Sequence, residues 1–258
     1  MILEVEDLHL SYGNNEVLRG ISFSIEKPTI FGIIGANGSG KTTLIKNISG
    51  YLKSDSGVVK VFGKEIDRYT RKERAQIIGY VPQDIPFDFD FTAYDIVMMG
   101  RLPYLGRFQK ESSRDRNIVK KAMMTTDTWD FREKTLRELS GGERQRVYIA
   151  RALAQEAKIL LMDEPVAHLD IRYQLEILSI VRDLVKNGIT CIIVLHDINL
   201  ASLFCEDILI LKRGRVLVKG KPEDVIREDI IKEAFNIDVR VIMEEESKKP
   251  FVIPLRKV

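Results

Sequence analysis

No stretch of this 258-residue sequence approaches the roughly 20 consecutive apolar residues that cross a bilayer. The start, Met1-Ile2-Leu3-Glu4-Val5-Glu6-Asp7, breaks its apolar run with acids and has no basic leader, so no signal peptide is expected. If the protein works at a membrane, another component has to hold it there. Cysteine is nearly absent. Cys191 and Cys205 match no metal-binding spacing and suit a reducing compartment, and Cys191, inside the apolar run Cys191–Leu195, is expected to be a buried thiol. An excess of one charge is also lacking. Lys and Arg number 40 against 38 Asp and Glu, with no clustered basic block, so no nucleic-acid partner is expected. Internal repeats and low-complexity linkers are missing too. Hydrophobic residues, at 45%, are ample for a packed core, and the length fits one large domain or a core with an inserted lobe.

The pattern along the chain changes twice. Residues 2–10 and 21–26 alternate apolar and polar, and Val58–Phe62 is a β-branched run between Gly57 and Gly63, so the first sixty residues read as short strands with turns. Set into them is a buried-strand run, Ile30–Ile34, then a glycine-rich turn and a helical stretch, Thr42–Leu52. Strand, phosphate-sized loop and helix in that order signal a nucleotide-binding α/β core. The middle, about 87–157, has few strand signals, and 112–129 and 141–155 are expected to be helical. Strands return at Ile159–Met162, Thr190–Leu195 and Ile208–Leu211, with an amphipathic helix over 172–186, which predicts a parallel sheet with crossover helices. Pro222, followed by Glu223 and Asp224, opens a further helix. The tail, 239–255, reads as a hairpin with a charged tip at Glu244–Lys249.

Three segments carry chemistry. Gly35-Ala36-Asn37-Gly38-Ser39-Gly40-Lys41-Thr42 fills the pattern GxxxxGK[ST]. Its glycines let backbone N–H groups turn toward phosphates at the positive end of the next helix. Lys41 supplies a point charge for the β and γ phosphates, Thr42 a hydroxyl for Mg²⁺, and Thr43 follows as a further nucleotide contact. Ile159–Glu164 is an apolar strand ending in two acids. Asp163 at its mouth suits Mg²⁺, and Glu164 suits a water poised for attack on the γ-phosphate. In Leu139-Ser140-Gly141-Gly142-Glu143-Arg144-Gln145, Ser140 and Glu143 make a capping box, yet two glycines in a first turn weaken the helix by about 1 kcal/mol each. Bare N–H groups approaching a phosphate would account for them.

Leu139–Gln145 resembles the signature motif of ATP-binding cassette proteins, and the resemblance extends over about residues 2–235. It implies an α/β fold: a P-loop NTPase (RecA-like) core with an N-terminal antiparallel β-subdomain over 1–86 and 158–258, and an inserted α-helical signature subdomain over 87–157. It implies that Tyr12 stacks on adenine, that Gln83 contacts Mg²⁺ and the attacking water, and that Asp170 sits at a dimer interface. His196 resembles the switch histidine that reaches the γ-phosphate. The implied assembly is a head-to-tail homodimer, with ATP held between Lys41 of one chain and Ser140–Gly142 of the other. ATP and Mg²⁺ are the implied cofactors. Separate transmembrane permease subunits and a substrate-binding protein are the implied partners, with the chain peripheral on the cytoplasmic face of the membrane. The alternatives are an exporter subunit and a soluble cassette protein. Two places depart from the family pattern: Glu26–Thr29 lacks the usual Gly-Glu, and Ala167 stands where many members have Ser. Phe87, Phe89 and Phe91 fit either a core edge or a permease groove. The run Gly100-Arg101-Leu102-Pro103-Tyr104-Leu105-Gly106-Arg107, which is expected to face a permease or a hinge, and His196-Asp197-Ile198-Asn199-Leu200-Ala201 resemble importers of iron–siderophore, haem or cobalamin.

Overall fold

The computed structural model describes residues 1–83, 90–106 and 109–257. They form two compact units, Met1–Arg68 with Thr190–Val258, and Tyr69–Ile189. The helical segment expected over 87–157 falls inside the second unit, as do 69–86 and 158–189.

The first unit opens on β1 (Leu3–Tyr12) and β2 (Asn15–Ile25), joined by a two-residue turn at Gly13–Asn14, with Gly13 at φ 60. Leu3 and Val5 are buried, and so are Leu8 and Leu10, although the two pairs are out of phase. A register shift between Val5 and Leu8, with Asp7 at φ 44, turns both pairs to the same core. The alternation expected over 2–10 therefore slips at Asp7. Next come β3 (Ile30–Ile34), buried at every position, and α1 (Lys41–Ile48), shorter than the expected Thr42–Leu52. The strands β4 (Ser56–Val61) and β5 (Lys64–Glu65) complete an antiparallel sheet in the order β2-β1-β4-β5.

The second unit holds α2 (Arg71–Ile77), β6 (Ile78–Val81), α3 (Ala93–Met98), α4 (Ser113–Thr125), α5 (Gly141–Ala154), β7 (Ile159–Asp163) and α6 (Ile171–Lys186). Capping boxes at Thr70/Glu73, Thr92/Asp95, Ser112/Asp115 and Ser140/Glu143 start four of its helices. β6 and β7 pair in parallel, and α3 and α4 pack on α5. Within the Gly100–Tyr104 run, Gly100 and Arg101 are buried, Pro103 and Tyr104 are half-buried and Leu102 is exposed. A Cβ at Gly100 would lie 2.3 Å from the Arg151 carbonyl oxygen, so only glycine lets this turn meet α5. Arg101, 2% exposed, donates to Asp115 at 2.9 Å, the Ala154 carbonyl at 2.7 Å and Glu156 at 2.8 Å. The Tyr104 hydroxyl donates to the Gln155 carbonyl. The Asp115 carboxyl is held down at about 2, first by hydrogen bonds from Ser112 and then by Arg101. Phe91 is half-buried, and its carbonyl accepts from the Leu136 N–H; Phe87, Phe89 and Arg107 lie outside the described residues.

The chain then returns to the first unit through β8 (Thr190–Val194), α7 (Ile198–Phe204), β9 (Asp207–Lys212), β10 (Arg215–Gly220), α8 (Pro222–Val225) and α9 (Glu228–Phe235). Here β8, β3 and β9 run parallel and β10 lies antiparallel at the edge, in the order β10-β9-β3-β8. The buried runs of β3, β8 and β9 suit a parallel sheet whose faces are covered. Cys191 and Cys205 are both buried thiols, and burial pushes Cys191 up to about 12. A hairpin of β11 (Ile237–Met243) and β12 (Pro250–Lys257) follows, close to the expected bounds.

Candidate functional site: a phosphate loop, an acidic strand end and a glycine-fronted helix

β3 stops at Ile34, and the chain turns through Gly35 (φ 153), Gly38 (φ 75) and Gly40 (φ 103). A Cβ at Gly35 would meet the Leu211 carbonyl oxygen at 2.3 Å and Ser39 Oγ at 2.8 Å, so both space and conformation require glycine. Ala36, Asn37 and Gly38 are exposed, while Ser39 and Gly40 are buried. Lys41, 5% exposed, donates from Nζ to the Gly35 carbonyl at 2.8 Å and the Ala36 carbonyl at 3.2 Å. The ammonium thus lies folded over its own loop at the first turn of α1. Ser39 Oγ is buried and has no hydrogen-bond partner among the described residues. The arrangement can hold a phosphate: the orphan hydroxyl and the ammonium are donors beside the start of α1, the end of a helix that favours an anion. Thr42 is half-exposed on the same turn and Thr43 is buried.

Elsewhere in the first unit, Tyr12 stands 51% exposed at the end of β1, where an aromatic face is open for stacking. His196 is exposed just past Leu195. Asp197 caps α7 by accepting from the Asn199 and Leu200 N–H groups, so the stretch after β8 is fixed by local hydrogen bonds.

In the second unit, Asp163 is buried at the C-terminal end of β7. The Tyr80 hydroxyl donates to its Oδ2 at 3.3 Å, and burial together with the nearby carboxylate raises the Tyr80 phenol well above its ordinary value. Tyr80 thus touches the Asp163 carboxylate while its own strand leads to Gln83, which is exposed. Arg151 of α5 donates to the Tyr80 carbonyl and ties that strand to the helix behind Ser140. Glu164 follows in the left-handed region at φ 52, half-exposed, and its carbonyl accepts from the Ala167 N–H. Asp170 caps α6 by accepting from the Tyr173 N–H at 3.1 Å.

At the start of α5, Glu143 accepts from the Ser140 N–H at 2.7 Å, and Ser140 Oγ accepts from the Glu143 N–H. Hydrogen bonds from the Ser140 N–H and then from its hydroxyl hold the Glu143 carboxyl below its usual range. Gly141 is exposed, whereas Gly142 is buried, and a Cβ there would stand 2.7 Å from the Tyr173 ring. Gly142 therefore has an internal reason, close packing on α6, which the sequence argument from bare N–H groups did not contain. Beside it lies a cavity of about 320 Å³ lined by Gln83, Gly141, Arg144, Gln145, Ala167 and His168, among others. Gln145 is 6% exposed and its Nε2 is buried without a partner among the described residues. Neither Gln145 nor Tyr80 stood out in the sequence. Gln145 sits inside the signature pattern, and Tyr80 lies two positions before the proline of Pro82-Gln83.

A family model described as ABC transporter matches residues 18–167, more than half of the chain. The chain belongs to the ABC transporter family. It is that family's ATP-binding, ATP-hydrolysing subunit. It is 39% identical, over 97% of its length, to the uncharacterized ABC transporter ATP-binding protein YvrA of Bacillus subtilis (strain 168), of which it spans 57%. It is 36% identical to the iron(3+)-hydroxamate import ATP-binding protein FhuC of the same strain, covering 96% of this chain and 93% of that one. Among solved structures, it is similar to a chain of an inward-facing, putative metal-chelate type ABC transporter. The TM-score is 0.88 and the identity 28%, covering 99% of this chain and 98% of that one. Among the described residues of this cassette, no helix is long and apolar enough to cross a membrane.

Proposed function

We propose that this cassette powers import of a ferric siderophore, or a related metal chelate such as haem or cobalamin, through a separate transmembrane permease. The similarity to FhuC over nearly the full length of both chains carries this reading. The metal-chelate type of the structural neighbour favours it. Loading by a substrate-binding protein and a position on the cytoplasmic face of the membrane belong to the same proposal.

In this reading, Gly35–Thr43 and Lys41 hold the phosphates of ATP, and Tyr12 stacks on adenine. The donor set suits Mg²⁺: Thr42 offers a hydroxyl, Asp163 a buried carboxylate at a strand end, and Gln83 an amide oxygen. Bound there, Mg²⁺ would neutralise charge on the β and γ phosphate oxygens. Glu164 orients and deprotonates the attacking water, and His196 contacts the γ-phosphate. Ser140, Gly141 and Gly142 offer a second set of helix-start N–H groups to the ATP of a partner chain, and Asp170 stands at that interface, in a head-to-tail homodimer. The β-subdomain and core over 1–86 and 158–258 and the helical subdomain over 87–157 are the proposed working parts.

The deciding measurement is ATP-dependent uptake into vesicles that carry this chain, its permease and a substrate-binding protein. Ferric siderophore, haem or cobalamin should accumulate inside. Failure of all three while a sugar, amino acid or peptide is carried would overturn the proposal.

A further inference from the structure

Among the described residues, fourteen large hydrophobic side chains are exposed, and five of them lie on the β11–β12 hairpin. Four of them, Ile242, Phe251, Ile253 and Leu255, share one face, and Met243 stands on the other, at the tip. Val252 is 4% exposed and Val239 6%, whereas Phe251 and Ile242 are each 44% exposed. Phe251 pairs with Ile242 and Ile253 with Arg240, so these four side chains share the outer face by strand alternation. Leu255, at the bulge that follows, is exposed beside them. Apolar surface grouped in this way marks an interaction site more often than scattered exposed residues do.

The edges of the hairpin are closed to a partner strand. Val241 and Val252 stand opposite one another. The Val252 N–H donates to Asn199 Oδ1 at 2.7 Å, and its carbonyl accepts from Asn199 Nδ2 at 3.1 Å. The Val241 N–H donates to Glu228 Oε1 at 3.0 Å. Side chains of the first unit thus occupy backbone groups on both edges, which disfavours strand addition. What remains open is the face.

The charges at the two ends of that face say what fits it. One end carries Arg240 and Arg256, with Asp238 paired to Arg256 and Lys232. The tip carries Glu244, Glu245 and Glu246 against Lys248 and Lys249, and Lys249 is paired to Glu223. The basic and acidic ends are roughly 15 Å apart along the strand. A surface with an apolar centre and opposite charges at its ends is complementary to a two-fold copy of itself, laid antiparallel. We propose that the outer face of this hairpin packs against the same face of a second copy of the chain, forming a contact that needs no nucleotide. It is separate from the ATP-bridged dimer proposed above, and measurements without nucleotide keep the two apart.

Sedimentation velocity of the purified full chain, without nucleotide, should show a dimer at micromolar concentration. Phe251→Glu and Ile253→Lys should shift it to monomer while nucleotide binding is retained. The sharper test is charge exchange. Arg240→Glu alone, or Glu245→Lys with Glu246→Lys, should each weaken self-association by about tenfold or more. An equimolar mixture of the two variants should restore the dimer as a heterodimer in native mass spectrometry. A monomeric wild type, a dimer untouched by Phe251→Glu, or a mixture that stays monomeric would each overturn the proposal. So would hairpin variants that keep the dimer but lose binding to permease-bearing vesicles or to bare lipid vesicles.

Discussion

Glu164 is a non-glycine residue in the left-handed region at φ 52, one position after a carboxylate buried at the end of β7. Such a conformation costs on the order of 1 kcal/mol and persists where the surroundings over-determine it. Here the strand before it and the turn closed by the Ala167 N–H supply that constraint. If Glu164 poises the attacking water, Glu164→Gln keeps shape and backbone but loses the proton acceptor. ATP hydrolysis should then slow by about 10²–10⁴-fold, while Mg²⁺-ATP binding, read by equilibrium dialysis, stays near wild type. Turnover close to wild type would reject the role. At this scale the sequence displayed Lys41, Asp163 and Glu164, because each sits beside a strand or helix that local pattern announces. Tyr80 was invisible, since its bond to Asp163 spans 83 positions and nothing local encodes the contact. Arg101 was legible as part of a family-like run, but its burial depends on Asp115, Ala154 and Glu156 converging on it.

Elements were easier to read than contacts. A capping box needs only four residues, so the start of α5 at Ser140/Glu143 could be taken from the sequence, and the same local chemistry opens α2, α3 and α4. The slip in β1 was hidden, because its cause is the bulge at Asp7 paired against β2 and β4, and strand pairing is not local. The twin glycines of α5 illustrate the same division. Gly141 has one neighbour near its would-be Cβ, a flexible Leu169 methyl at 3.3 Å, whereas Gly142 faces the Tyr173 ring and Cβ at 2.7–3.1 Å. Gly142→Ala should therefore destabilise by roughly 1–3 kcal/mol despite the better helix propensity of alanine. Gly141→Ala should be nearly neutral in thermal unfolding. Adding Tyr173→Ala to Gly142→Ala should recover much of the loss relative to Tyr173→Ala alone. Equal melting temperatures for the two single variants would show that packing on α6 is not what holds position 142 to glycine.

For the whole molecule, the proposed head-to-tail dimer is tested by mixing. A Lys41→Ala chain lacks the proposed phosphate cation, and a Gly141→Asp chain brings an acid to the proposed second cradle, so neither should occlude ATP as a homodimer. In the mixed dimer, one of the two sites has both its partners intact if each site is built from two chains. Filter-bound radiolabelled ATP should then appear in the mixture and in neither parent. Equal failure of all three samples would point to a site completed within one chain.

Sequence alone determined the family, the phosphate loop, the acidic strand end and most helices and strands. These depend on spacing along the chain: glycines that free a backbone, alternation that buries one side, caps that act within a single turn. Tertiary structure decided what those patterns meet. It closed Arg101 into the second unit, set Tyr80 on Asp163, gave Gly142 its neighbour and turned one face of the terminal hairpin outward. Each of those outcomes comes from groups far apart in sequence brought within a few ångströms, and no local pattern records such a meeting.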